Sequence, residues 1–428
     1  MIQTDDLYRQ PAMLWPMLVD LMRRTVRRKP ACGTTRDMSR LPSFPNRTSR
    51  LIMLIVVGMC AGCASAPERP QYTQEAATMA TVVGMPGDIR MWADAPKEVF
   101  LSEARQLVSA ARRRGQSLAL LALSGGADDG AYGAGFLNGW AQAGTRPEFT
   151  VVSGISTGAL IAPYAFLGTA YDDKLKRMFT EIERQDIFVV RALSGLFGAS
   201  FADNTPLKKM VEEQVTPELL SAIAAEHAKG RRLLLATTNL DAQRMVVWDM
   251  GRIAEVGTPR ALEVFRKVLI ASASIPGLFP PVLFEAQANG ERFSELHVDG
   301  GATMQVFTLP PAIFTHPKSG TVPRGSKIYM VINNKLAPEF DVVRVSAIPV
   351  AGRSFSTLIK SSAQQTVLQT YDFTRKNDVG FFLTFIGSDF DFDRGDMFDQ
   401  AYLNALYDYG LRRGSSGKGW HEEPPFGN

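Results

Sequence analysis

VVSGISTGAL, residues 151–160, is the stretch on which the reading of the whole chain turns. An apolar run enters a glycine-bounded turn around one serine, and an apolar helical pattern leaves it. Gly154-Ile155-Ser156-Thr157-Gly158 is G-x-S-x-G at a strand-to-helix junction, which exposes a nucleophilic hydroxyl on a sharp turn. A glycine-rich turn with Ser156 as a plain helix cap is the competing reading, because serine also suits that position. A serine hydroxyl attacks only when a neighbouring base takes its proton. The chain has four histidines, His227, His297, His316 and His421. None sits in an obvious catalytic phrase.

On either side of this turn, strands and helices alternate. Residues 117–124 (SLALLALS) are a continuous apolar run ending in glycines, as expected of a strand buried on both faces of a parallel sheet. A helix is expected over 130–143, a strand over 149–155 and a helix over 157–167. Further helices are expected at 172–184 and 206–228. Strands recur at 232–239, 244–249, 282–287, 292–298, 327–333 and 379–386, with Asn289-Gly290 marking a hairpin turn. Helices fill 259–272, about 354–375 and 396–411. This alternation predicts an α/β fold, a largely parallel central sheet flanked by helices. No internal repeat and no linker interrupts 91–412, which reads as one domain.

The chain has 428 residues, 45% of them hydrophobic and 21% charged. Its net charge of +4 is misleading: residues 1–62 hold ten Arg/Lys against four Asp, which leaves −2 for the rest. Nucleic-acid binding loses its support, since it needs a clustered basic face. The cysteines are Cys32, Cys60 and Cys63, so the globular part has neither a disulfide nor a thiolate metal site.

Arg47 and Arg50 precede LIMLIVVGMCAGC, residues 51–63. A basic patch, a short apolar run and small residues make a secretory signal, too short to span a bilayer. Cys60-Ala61-Gly62-Cys63 resembles a bacterial lipobox, with Cys60 where an aliphatic residue is usual. Lipidation of Cys63 is expected, and with no Asp at 64 the location expected is the cell envelope, as an outer-membrane lipoprotein. A plain secretory signal cleaved near Ala64-Ser65-Ala66 is the alternative. With Met38 as the start, 1–37 is an upstream extension and 38–62 the signal peptide. Residues 63–90 are then the lipidated N-terminus and a linker, and 413–428 a disordered tail.

Three more phrases carry candidate chemistry. In LSGGADDGAYGAGFL, residues 123–137, glycines follow a strand and open a helix, so backbone N–H groups there form an anion site. That site suits either a nucleotide phosphate, although no Walker lysine is present, or an acyl-transfer oxyanion. In HVDGGATMQV, residues 297–306, Asp299 ends a strand at the crevice where α/β folds bind ligands. An ordinary Asp-Gly turn is the plainer reading. In IASASIPGLFPPV, residues 270–282, prolines fix a loop after a helix. The apolar segment 188–201 reads as a core-packing connection or as a mobile loop that meets lipid. Asp389, Asp391 and Asp393 lack EF-hand spacing and read as a solvated acidic loop, with no metal.

In this order, over roughly residues 117–310, the phrases resemble the patatin-like phospholipases. That family has a Gly-rich oxyanion loop, G-x-S-x-G about 30 residues later, a loop ending in F-P-P, and a catalytic D-G-G or D-G-A. The resemblance implies the three-layer patatin-like hydrolase fold and hydrolysis of fatty acyl esters through an acyl-enzyme. It implies a Ser156–Asp299 dyad needing no histidine and no cofactor, with Gly154 and Gly158 framing the elbow. Backbone N–H groups around Gly125, Gly126 and Ala127 would hold the oxyanion. A sheltered carboxylate has a raised pKa and becomes a better base. The implied partners are a lipid or phospholipid substrate and, through the N-terminal anchor, a membrane.

The chain departs from the family in its loop. The usual G-G-G-x-R-G reads Gly125-Gly126-Ala127-Asp128-Asp129-Gly130, with Asp129 in the arginine position. Facing the site, Asp129 weakens oxyanion stabilisation; pointing outward, it matters only to structure. Two alternatives stay open: a catalytically weak or dead lipoprotein that binds lipid or a partner, and a conventional Ser–His–Asp esterase using His297, His316 or His421.

Overall fold

The computed structural model describes residues 69–426 except 182–186, 188, 191–201, 315–321 and 393–395. Cys63, the signal segment and His316 therefore lie outside the described residues. So does the segment 188–201, apart from the backbone of Val189–Val190.

Ten strands form one sheet. Its main path runs β1 (Thr81–Val82), β9 (Val282–Ala288), β10 (Glu291–Asp299), β7 (Arg232–Asn239), β4 (Val151–Gly154), β3 (Ala119–Leu123), β11 (Lys327–Ile332) and β12 (Gly380–Phe385). β8 (Arg244–Asp249) also pairs with β7, and β2 (Arg90–Trp92) with β8. A separate ribbon joins β5 (Val189–Val190) to β6 (Ala202–Asp203). The five strands from β7 to β12 along this path are parallel, as the sequence predicts. β8, β9 and β10 extend the sheet antiparallel.

Burial explains the difference. Along β11, Ile328, Met330 and Ile332 join one core with Ala363, Val367 and Phe373 of the Ala347–Asn377 helix. The alternate residues Tyr329 and Val331 join the opposite core with Phe136 and Trp140. A strand covered on both faces must be apolar throughout. β9 instead alternates buried and exposed residues and meets β10 at Asn289-Gly290, where φ is 53° and 84°. Two left-handed residues are what a two-residue hairpin turn requires.

The Gly130–Gln142 and Gln400–Ser415 helices touch backbone to backbone. A Cβ on Gly135 would lie 2.0 Å from the Tyr407 carbonyl oxygen, and one on Gly414 2.1 Å from that of Phe136. This contact corrects the expectation of a disordered tail from 413. The helix continues to Ser415, Trp420 packs edge-on against Phe136 and Trp140, and His421 exchanges both backbone hydrogen bonds with Leu383 on β12.

The expected linker 63–90 is corrected in its described part. Pro67–Asn428 is one compact unit. Val82 and Ile89 are buried, Tyr72 stacks on Phe293, and Arg69 pairs with Asp241 at 2.6 Å. The helix expected over 206–228 is two, Thr205–Gln214 and Pro217–Ala228. Thr216 caps the second, which Pro217 opens.

Candidate active site

β4 delivers Ser156. After Gly154 and the buried Ile155, Ser156 takes φ 56° and ψ −127°, a backbone that serine adopts only under constraint. Two things supply the constraint. The Ser156 N–H donates to the Ser272 hydroxyl at 3.0 Å, which donates to the Ala236 carbonyl at 2.8 Å. The Thr157–Leu167 helix then begins at once, pressed against β3. A Cβ on Gly158 would lie 2.5 Å from the Leu123 carbonyl oxygen, so this elbow glycine is a steric necessity. Gly154 is under the same restriction, with the Gly158 carbonyl oxygen 2.4 Å from its Cβ position.

Asp299 arrives at the end of β10, beside β7, opposite Thr237. Its N–H donates to the Ser274 carbonyl at 2.9 Å, and the Thr238 hydroxyl donates to its carbonyl at 3.0 Å. Its carboxylate accepts the Gly301 N–H at 2.7 Å and lines the same cleft as Ser156. The residue is only 4% exposed. Burial pushes its pKa up to about 7, against the opposing pull of the Ser156 hydroxyl and the Gly301 N–H. A carboxylate that titrates near neutrality can take a proton and return it.

The glycine loop lies against Ser156. A Cβ on Gly125 would stand 3.0 Å from the Ser156 Cβ. Yet the Gly125 N–H donates to the Gln305 carbonyl at 3.1 Å, so it is already committed. This corrects the expectation that Gly125, Gly126 and Ala127 all offer donors. The N–H groups of Gly126, Ala127 and Thr157 meet no acceptor among the described residues. Ala127 has φ 52°, which explains the glycine usual there; an alanine costs about 1 kcal/mol in that conformation.

Two residues that sequence reasoning missed hold this loop. The Asn333 N–H donates to the Ser124 hydroxyl, and its side-chain amide to the Ser124 carbonyl, both at 2.8 Å. Asn333 Oδ1 accepts the Gly133 N–H at 3.0 Å, and the Asn334 amide donates to the Gly125 carbonyl at 3.1 Å. The available signal was an Asn pair directly after the apolar β11, at the strand end where α/β crevices form.

Asp129 does not point outward. It is 9% exposed and lines the same cleft as Ser156 and Asp299, and its Oδ1 accepts the Tyr402 hydroxyl at 2.6 Å. The neighbouring Asp128 accepts the Phe398 N–H at 3.0 Å.

The described histidines are engaged elsewhere. His297 sits between Thr237, at 2.9 Å from Nδ1, and Glu295, at 3.3 Å from Nε2, and it packs against Phe284. Burial depresses its pKa against the pull of Glu295. His227 faces Asp249 and Glu255, and His421 stacks on Phe385.

Ser156 stands between two spaces. One is apolar, walled by Leu160, Met178, Phe179, Leu207, Met210 and Phe279. The other, about 230 Å³, is mixed, with Asp299, Gln305 and Asn334 facing Phe355 and Ile359. An ester placed across Ser156 would have a hydrocarbon wall on one side and hydrogen-bonding groups on the other. Among the described residues, no cluster of three or more His, Cys, Asp or Glu is placed to hold a metal.

Residues 121–311 match the model of one protein family, patatin-like phospholipase. Among solved structures, the chain is similar to VipD from Legionella pneumophila at 12% identity. That alignment covers 71% of this chain and 67% of that one, with a TM-score of 0.36. No curated protein sequence matches.

Proposed function

We propose that the protein cleaves fatty acyl esters through a Ser156–Asp299 dyad, a reading supported by the match of residues 121–311 to the patatin-like phospholipase family model. The observation that carries the reading is that Ser156, on its strained elbow, and the buried Asp299 carboxylate, which burial pushes up to about 7, line one cleft. Asp299 takes the Ser156 proton as Oγ attacks the ester carbonyl. The N–H groups of Gly126 and Ala127 receive the oxyanion, with Thr157 N–H beside them. As the intermediate collapses, the C–O bond breaks and Asp299 returns the proton to the leaving alcohol. Water then enters by the same route: Asp299 takes its proton, the hydroxide oxygen adds to the acyl carbon, and Ser156 leaves protonated. The acyl chain occupies the apolar side and the alcohol portion the mixed cleft. A binding-only lipoprotein is the second reading, favoured by Asp129 in the wall of the cleft.

Labelling with a fluorophosphonate, followed by mass spectrometry of the adduct, separates them. The dyad requires an adduct on Ser156 that is lost in Ser156→Ala and slowed in Asp299→Asn. A folded protein that takes no label would leave the binding-only reading in front. The proposal extends to a lipid anchor on Cys63 at the outer membrane, supported by the lipobox-like Cys60-Ala61-Gly62-Cys63 after a basic-then-apolar segment. Incorporation of labelled palmitate that persists in Cys63→Ala would remove it.

A further inference from the structure

Among the described residues, ten large apolar side chains are exposed, and six of them fall within residues 340–368. Phe340 is 95% exposed, Val342 79%, Val345 100% and Leu358 69%. Single exposed apolar residues are ordinary on a soluble surface, whereas a concentration of them marks an interaction face. This one adjoins the mouth of the cleft. Asn334 lines the cleft, and the chain then runs beside the Ala347–Asn377 helix. It is tied there by Lys360 Nζ to the Ala337 carbonyl at 2.6 Å, by Gln364 to the Leu336 carbonyl at 2.8 Å, and by Arg353 to the Glu339 carbonyl. The first turns of that helix place Phe355 and Ile359 in the cleft wall. The helix and the segment that leads into it therefore carry together the wall of the cleft and its exposed apolar rim.

We infer that residues 340–358 form a docking face that seats the cleft on a lipid bilayer. Charge favours that occupant. Residues 335–360 hold Lys335, Arg344, Arg353 and Lys360 against Glu339 and Asp341, a local +2 on a body whose net charge beyond residue 62 is −2. Apolar side chains flanked by Arg and Lys match the boundary between acyl chains and anionic headgroups. Lys360, Gln364 and Arg353 tie down the segment just before Phe340, and the apolar residues beyond it are already exposed, so insertion needs no rearrangement of the fold. The hydrolase reading enters only as the reason for a bilayer at this mouth, since an ester in a membrane must leave it through such a rim.

The test uses the full chain made without export, in a Ser156→Ala background, so that binding is measured apart from turnover. Val345→Trp is added and its fluorescence taken as the difference from the parent. The probe is unilamellar vesicles of phosphatidylethanolamine and phosphatidylglycerol, with and without brominated acyl chains. A blue shift on adding vesicles, quenched by the brominated lipid, is the expected result. In the catalytically intact chain, Phe340→Ser/Val342→Ser/Val345→Ser should lower vesicle-lipid turnover about tenfold or more while leaving a soluble short-chain ester unaffected. No spectral response at 345 overturns the inference, even if the N-terminus carries the chain onto the vesicle. A shift in lipid-free buffer with elution at twice the monomer mass also overturns it, by making the face a contact between copies. Penetration at 345 with no turnover of either substrate in the intact chain would instead sink the hydrolase reading and leave the docking face standing.

Discussion

Asp299 combines a 4% exposed side chain with a pKa of about 7, and the two facts pull the molecule in different directions. The proton-accepting form exists above that value, so kcat/KM should rise with pH along an acid limb centred near 7. Asp299→Asn should abolish the limb and cost roughly 10²–10⁴ in rate; a variant that keeps the limb would assign the base elsewhere. Stability runs the other way. The folded pKa lies above the unfolded value near 3.8, so the folded state holds its extra proton between them. Stability is greatest below about pH 4 on this account and is lost as pH rises through 7, by on the order of 4 kcal/mol. Asp299→Asn keeps an acceptor for the Gly301 N–H without the buried charge. Its melting temperature should therefore exceed that of the parent at pH 8 and converge on it at low pH. Asp129 offers a separate test. Asp129→Asn keeps an acceptor for Tyr402 and removes a negative charge from the cleft, so kcat should rise roughly tenfold. An unchanged kcat would show that the charge is already neutralised. Ser156 and Asp299 were legible because each stands at a strand end in a short glycine-marked phrase. Asn333 and Asn334 were not, because an Asn after a strand more often makes a turn, and only the folded loop shows what theirs grip.

The elbow is a contact between two elements, β3 and the Thr157–Leu167 helix, and Gly158 is where they meet. Gly158→Ala places a methyl 2.5 Å from the Leu123 carbonyl oxygen, a backbone atom that cannot step aside. Chemical denaturation should show a loss of about 3 kcal/mol or more. A variant as stable as the parent would mean that the helix can slide off β3. Elements with a single strong period were read to their ends: β7, β8 and the Pro259–Ser272 helix fall where the pattern puts them. Errors came where one residue type serves two purposes. The glycines of 130–142 were read through the anion loop that precedes them, yet Gly135 and Gly139 exist to admit the Gln400–Ser415 helix. For the same reason Gly414 and Gly419 looked like the start of a disordered tail. Glycine reports that something comes close, and the sequence does not say what.

Across the whole molecule, the two cores sit on opposite faces of one sheet, and the alternation of β11 between them is what makes the parallel half α/β rather than a one-sided layer. That division was visible from the apolar runs alone, because only two covered faces tolerate them. The antiparallel half was visible as strands but not as an arrangement, since strand order follows from long-range pairing. The backbone exchange between His421 and Leu383 has a consequence for how the protein behaves in company. β12 is the last strand on its side, and an unshielded edge invites a strand from another molecule to add to it. A chain ending at Trp420 keeps the aromatic packing but strips that cover from the ladder. Light scattering should then show association that grows with concentration, whereas a monodisperse truncation would mean the edge is shielded by other means. His421 thus acts as a stopper on the sheet, and a stretch that reads in sequence as a disordered tail becomes the part of the chain that keeps one copy from templating the next.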